Sequence, residues 1–96
     1  MAKGYWVTFY RSVSNPKVFA EYAKLSLPII ERGGGRFLAR TVATKGYEAG
    51  LKERVVLIEF DSVEKAIATI ESSEYRAAQK LLEGAVEREI RIVEGV

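Results

Sequence analysis

The chain has 96 residues, with 15 Lys and Arg against 13 Asp and Glu, and it contains neither cysteine nor histidine. Without cysteine there is no disulfide, thiolate nucleophile or cysteine-held metal. Without histidine the usual neutral-pH base, the commonest metal ligand and the proximal haem ligand are gone, so no metal site and no histidine-held haem is expected; no residue pattern calls for another cofactor, and none is expected.

The length predicts a single domain over residues 1–96 with one core. At 48% hydrophobic and 29% charged, the composition is that of a globular domain. No apolar run approaches the roughly 20 residues of a membrane span, and the opening residues are too short and polar a stretch for a signal peptide. The expected location is the cytoplasm, with no membrane partner. Basic and acidic residues are mixed throughout and no Lys/Arg run exists, so nucleic acid is not an expected partner.

The first element, Tyr5–Arg11, is aromatic and β-branched and reads as a strand. Ser14-Asn15-Pro16 then starts a helix: Asn15 suits the cap and Pro16 the first helical position. Val18, Phe19, Tyr22, Leu25, Ile29 and Ile30 follow at helical spacing, with Lys17, Glu21 and Lys24 opposite. Pro28 bends or tightens the last turn. Gly33-Gly34-Gly35 ends the helix. It precedes a strand and lacks a following Lys-Ser or Lys-Thr, so it is a C-cap and turn, not a phosphate loop.

Arg36–Thr44 is a second strand, and a hairpin loop holding Gly46 and Gly50 follows it. Arg54–Phe60 is a third strand and the strongest signal in the chain. Asp61-Ser62-Val63-Glu64 resembles a capping box, with Val63, Ala66, Ile67 and Ile70 as the buried stripe of the helix behind it. Ser72-Ser73 interrupts and recaps. A further helical piece carries Tyr75, Ala78, Leu81, Leu82 and Ala85, and Gly84 marks its frayed end. Arg88–Val93 is the last strand.

The order strand, helix, strand, strand, helix, strand predicts an α+β, ferredoxin-like βαββαβ fold. Its four-stranded antiparallel sheet runs 4-1-3-2 with both helices on one face. The first and third strands are apolar on both parities, as central strands should be. The second and fourth carry Arg36, Arg40, Glu87, Arg88, Glu89 and Arg91, as edges should. Val56, Ile58 and Phe60 are assigned to the helix side together with Tyr5, Val7 and Phe9. The bare side is then Trp6, Thr8, Tyr10, Val55, Leu57 and Glu59. A patch built on Trp6, Val55 and Leu57 is too apolar to stay wet, so an identical chain is expected to pack on it about a two-fold axis.

Gly34-Gly35-Arg36-Phe37-Leu38-Ala39-Arg40, Val55-Val56-Leu57-Ile58-Glu59-Phe60, Ser73-Glu74-Tyr75 and the terminal Ile92-Val93-Glu94-Gly95 carry a resemblance. Together they resemble the domain-of-unknown-function 1330 family of the dimeric α/β-barrel superfamily over essentially the whole chain. The resemblance implies two ferredoxin-like chains with sheets face to face, and a cavity between sheet and helices or within the barrel. It also implies kinship with cofactor-free monooxygenases, muconolactone isomerase-like enzymes and haem enzymes. The chain departs from the family pattern at Thr69-Ile70, Ser73, Leu82 and Thr41-Val42.

Glu59 is the sharpest anomaly, a carboxylate in an apolar strand. Desolvation would raise its pKa and suit it to general acid–base work; alternatively it pairs with Arg36 or Arg40 on the neighbouring strand. Arg36 and Arg40 are expected on one face, as forks for a carboxylate or phosphate or as edge-strand charges. Thr8 and Tyr10 share the inferred interior, orienting a ligand or packing an interface. Tyr75 either rims a pocket or packs on the first helix. The expected function is a small homodimer binding a small anionic or aromatic molecule near Glu59, Arg40 and Tyr10. It is either a cofactor-free isomerase- or monooxygenase-like enzyme with Glu59 handling the proton, or a non-catalytic ligand-sensing or structural module.

Overall fold

A computed structural model describes residues 2–96. Strand β1 is Gly4–Val13, helix α1 Pro16–Arg32, β2 Arg36–Val42, β3 Arg54–Phe60, α2 Val63–Ile70, α3 Ser73–Gln79 and β4 Val86–Glu94, with one 3-10 turn at Lys80–Leu82. The strands form one antiparallel sheet in the order β2-β3-β1-β4, which is the order expected of a ferredoxin-like chain. Among the described residues no helix is long and apolar enough to cross a membrane.

The helix starts are those the sequence announces. Asn15 accepts from the Val18 amide at 3.2 Å with Pro16 at the first position. Ser62 accepts from the Lys65 amide and Ser72 from the Tyr75 amide, each at 3.2 Å. Each side chain satisfies one amide that the first turn leaves without an intrahelical partner. α1 continues through Pro28 and ends in a glycine turn, with Gly34 at φ +98°. The Gly35 amide then bonds back to the Ile30 carbonyl at 2.9 Å.

The core lies between the sheet and the helices. Trp6 stacks 6.4 Å from Phe60 and meets Tyr75 edge-on at 4.9 Å. Around these rings stand Tyr22, Ile30, Ile58, Ala66, Ala78 and Leu82, all buried. Leu25, Ile67 and Leu81, expected in the buried stripes, are exposed, and Ser26 and Thr69 are buried instead. The small side chains let α1 and α2 approach their neighbours closely; a Cβ on Gly33 would collide with Thr69.

The expected parity of β1 is reversed. The register pairs Gly4 with Phe60, Trp6 with Ile58 and Thr8 with Val56. Residues directly opposite in an antiparallel pair share a face. Gly4, Trp6, Thr8 and Tyr10 therefore face the helices, and Tyr5, Val7 and Phe9 face the other way with Val55, Leu57 and Glu59. Trp6, 1% exposed, belongs to the helix-side core and forms no part of the open face. The physical reason is at Gly4. A Cβ there would lie 2.6 Å from the backbone of Ser62 and Val63, so the strand parity that lacks a side chain at position 4 must sit under α2.

A second irregularity lies in β2. The pairing shifts between Phe37 and Ala39, leaving Leu38 as the extra residue of a bulge, and Phe37 opposes Ile58 while Arg40 opposes Val56. A bulge reverses the alternation beyond it. Arg36 and Arg40, expected on one face, are thus on opposite faces: Arg36 on the open side with Glu59 and Arg40 on the helix side.

Gly35 sits where α1 hands over to β2, and a Cβ would meet Ile30 Cγ2 at 2.6 Å and Phe60 Cζ at 2.9 Å. Gly35→Ala is expected to destabilise the fold by about 1–3 kcal/mol, as overpacked cores do. The readout is a lower urea midpoint at unchanged slope. An unchanged midpoint would mean that the turn re-seats without strain.

Candidate functional site

Strand register places the helix-side residues in rows across the sheet. One row runs Arg88 on β4 to Tyr10 on β1, and one step past the Phe9–Val55 pair brings Arg54 on β3 beside Tyr10. The next row holds Arg40 on β2, Val56, Thr8 and Ile90. The third holds Phe37, Ile58, Trp6 and Ile92. Phe19, Tyr22, Ser26 and Ile30 of α1 lie over these rows, and the partly open cavity between them has a volume of about 40 Å³. That is several times the ~10–15 Å³ one water needs.

The charge in this cavity is one-sided. Arg40, Arg54 and Arg88 line it and no carboxylate does. Each guanidinium lies over an aromatic ring instead: Arg40 is 4.9 Å from the Phe37 centroid, Arg54 5.2 Å from Phe19, and Arg88 5.3 Å from Tyr22 and 5.7 Å from Tyr10. A ring face attracts the cation but leaves its N–H groups free for an acceptor in the ring plane. The buried Nε of Arg54 has no hydrogen-bond partner among the described residues. The arginines lie on β2, β3 and β4, so their backbones span three strand spacings, roughly 14 Å.

Arg88 is the hub of the polar end. Its Nη1 donates to the Tyr10 hydroxyl at 3.2 Å and the Tyr22 hydroxyl at 3.3 Å, and its Nη2 to the Tyr75 hydroxyl at 3.1 Å. The Tyr22 and Tyr75 hydroxyls are themselves 2.6 Å apart. Burial pushes the Tyr10 and Tyr75 phenols above their ordinary range against the opposing pull of Arg88. Both are therefore neutral donors at neutral pH. Nearby, Trp6 Nε1 donates to Thr8 Oγ1 at 2.9 Å.

Of the residues expected in the site, the structure brings together Thr8, Tyr10 and Arg40. Tyr75, 0% exposed, packs against α1 through Tyr22 and reaches the site through Arg88. Glu59 and Arg36 stand on the opposite face of the sheet. There Arg36 Nε bonds Glu59 Oε1 at 3.0 Å, Arg36 Nη2 bonds Asp61 at 3.1 Å, and the Tyr5 hydroxyl donates to Glu59 Oε2 at 3.0 Å. Glu59 therefore does not share a cavity with Arg40 and Tyr10. Its pKa moves opposite to the expected rise: the Arg36 bond, then the Tyr5 bond, hold it below the ordinary carboxylate range.

The reading from sequence missed Arg54, Arg88, Phe19 and Tyr22. The signal for the two arginines was present. Arg54 shares parity with Val56, Ile58 and Phe60, and Arg88 with Val86, Ile90 and Ile92, so each is a cation within an apolar stripe.

The Glu59 ion pair carries a pH dependence whose sign is fixed. A carboxylate whose folded pKa is depressed adds stability above its unfolded pKa of about 4.3 and loses it as pH falls through the folded value. Glu59→Gln is expected to be less stable than the parent at pH 7, with the difference vanishing in acid. In a carboxyl-carbon NMR titration Glu59 ionises below ordinary glutamates, and Arg36→Gln returns it toward them. An ordinary Glu59 titration in the parent would contradict the pairing.

The same fold recurs in solved structures. The RPA0582 protein from Rhodopseudomonas palustris, described as of unknown function, superposes with a TM-score of 0.73 at 20% identity, covering 99% of this chain and 83% of that one. SnoaB from Streptomyces nogalater, described as a cofactor-independent oxygenase, gives 0.63 at 12% identity over 97% of this chain and 92% of that one. A dabb-family protein with a ferredoxin-like fold from Mesorhizobium loti gives 0.68 at 12% identity over 100% and 97%. At these identities the likeness is one of fold. No curated protein matches the chain. The family model described as Domain of unknown function (DUF1330) matches residues 3–96, and the chain belongs to that family.

Proposed function

We propose that this protein binds a small anionic molecule with an aromatic or apolar body in the cavity between α1 and the sheet. One observation carries the reading: three arginines line an otherwise aromatic and aliphatic cavity that contains no carboxylate. An unpaired cation in partly desolvated surroundings favours an anion strongly, and a planar acid satisfies both the guanidinium forks and the ring-lined walls. The chemistry proposed for such a site draws on the chain's own groups. The chain's own groups would hold and polarise an activated substrate, in the manner of an isomerase or oxygenase. The fold shared with a structure described as a cofactor-independent oxygenase supports that reading. The alternative is a ligand-sensing module using the same cavity without turnover. The proton-handling role expected of Glu59 has no support from this site, because Glu59 lies across the sheet from it.

We also propose that a second copy covers the open face. The apolar centre there is Tyr5, Val7, Phe9, Val55 and Leu57, and Arg36, Glu59, Glu89 and Arg91 frame it with both signs of charge. A two-fold axis through such a patch sets apolar surface on apolar surface and lets framing charges of opposite sign meet.

Benzoate is expected to raise the melting temperature of the parent, and the rise should fall by more than half in Arg54→Gln and in Arg40→Gln. Benzyl alcohol, the neutral analogue, should give little. Equal responses from benzoate and benzyl alcohol would reject the anion site. For the assembly, sedimentation at micromolar concentration should give the two-chain mass, and Leu57→Glu the one-chain mass. A one-chain mass for the parent would reject the pairing.

A further inference from the structure

The hydroxyl protons at the polar end of the cavity can be counted. Arg88 donates to Tyr10, Tyr22 and Tyr75, so all three phenol oxygens already act as acceptors. Each phenol has one proton to give. The Tyr22–Tyr75 bond uses one of the three. The Tyr10 proton, and that of whichever of Tyr22 and Tyr75 accepts in their bond, find no acceptor among the described residues. Tyr10 and Tyr22 line the cavity, as do Arg54 with its unpartnered Nε and Arg88 with its positive charge. At this end of the cavity the Tyr10 hydroxyl and Arg54 Nε are thus donors without acceptors, the Tyr22 hydroxyl joins them when Tyr75 donates in their shared bond, and Arg88 is the fixed cation between them. Buried donors left unsatisfied are unfavourable, and a single oxygen carrying negative charge can take up several of them.

We infer that the Arg88–Tyr10–Tyr22 end of the cavity receives an ionised phenol or enol oxygen, so that the ligand class is a hydroxyaromatic or enolisable carbonyl compound held as its oxyanion. The inference deepens the binding function proposed above and rests on it. A carboxylic acid alone would satisfy the arginines; the phenol donors, ringed about one guanidinium, suit a single oxygen. An anion at that point meets the Arg88 charge and hydrogen bonds from neutral hydroxyls, and both favour the ionised form over the neutral one. The ionised form carries more electron density on the ring or enol carbon than the neutral one, so holding it there activates the ligand without any other cofactor.

The test uses two nitroaromatic probes with the full chain. 4-Nitrophenol changes its visible absorption on ionisation, and 4-nitrobenzoate is a carboxylate of similar size. Trp6, the single tryptophan, lines the cavity and reports occupancy of either through its fluorescence. Bound 4-nitrophenol is expected to ionise about one to three pH units below the free probe. Tyr10→Phe and Tyr22→Phe should each reduce that displacement while remaining folded by circular dichroism. These variants remove one hydroxyl and keep the ring, so they test the idea even where a change at Arg88 unfolds the chain. If 4-nitrobenzoate binds with dependence on Arg54 while 4-nitrophenol binds unshifted or not at all, the oxyanion inference fails and the anion site stands. A displacement unchanged in both phenylalanine variants also overturns the inference. If neither probe binds, the anion site itself falls and the oxyanion inference with it.

Discussion

The arrangement that governs this molecule is a set of cations held without counter-ions. Removing an ion from water costs several kcal/mol unless a partner restores what is lost. A ring face returns only about 0.5–2 kcal/mol per cation. Arg54 and Arg88 are half-buried, and rings and phenol oxygens are what the protein supplies. The deficit is local. With Arg40, Arg54 and Arg88 set aside, twelve basic residues face thirteen acidic ones, so the chain's whole positive surplus resides in this cavity. An incoming anion therefore meets a site that the fold has already assembled and left electrically incomplete.

The open face of the sheet is its electrostatic opposite. Arg36 is tied to Glu59 and Asp61, Asp61 also lies 3.8 Å from Lys3 and 3.7 Å from Lys65, and Glu89 is flanked by Arg11 and Arg91. These pairs are largely exposed, and exposed pairs add little stability. Their effect is to neutralise the border of an apolar patch. One sheet thus separates a face where Glu59 and Glu89 each have a basic partner from a cavity lined by three arginines and no acid.

The elements were legible in the sequence because local chemistry writes them: side chains that cap helices, glycines that stop them and β-branched runs that make strands. Strand order followed from charge on the edges and its absence in the centre. Which side of β1 faces the helices was not legible from hydrophobic alternation, because Tyr5, Val7 and Phe9 are as apolar as Trp6, Thr8 and Tyr10. The deciding residue was Gly4, whose missing Cβ matters only once α2 is in place above it. The bulge at Leu38 hid in the same way, since a seven-residue edge strand carries no periodicity long enough to reveal an insertion. Two one-residue ambiguities therefore moved Glu59 and Arg36 away from Tyr10 and Arg40. Parity on β3 and β4 already pointed Arg54 and Arg88 inward, yet a cation in an apolar stripe is easily taken for an edge charge until its row-mates are known.

Arg88 and the three tyrosines around it come from four separate parts of the fold. Tyr10 belongs to β1, Tyr22 to α1, Tyr75 to α3 and Arg88 itself to β4. Their bonds tie α1 and α3 to the sheet through one guanidinium, and the rings are fixed further by edge-on packing of Tyr10 on Phe19 at 5.3 Å and of Tyr22 on Tyr75 at 6.2 Å. None of these groups sits on the β2–β3 hairpin, the long loop of the chain. Donors mounted on strands and helices keep their geometry when the cavity is empty, so a ligand does not have to order them. Fixed donors discriminate between charge states better than mobile ones, because a mobile donor turns away to follow a neutral ligand and a fixed one cannot. The same hydrogen bonds that hold the layers together thus set the site's preference for a negatively charged oxygen.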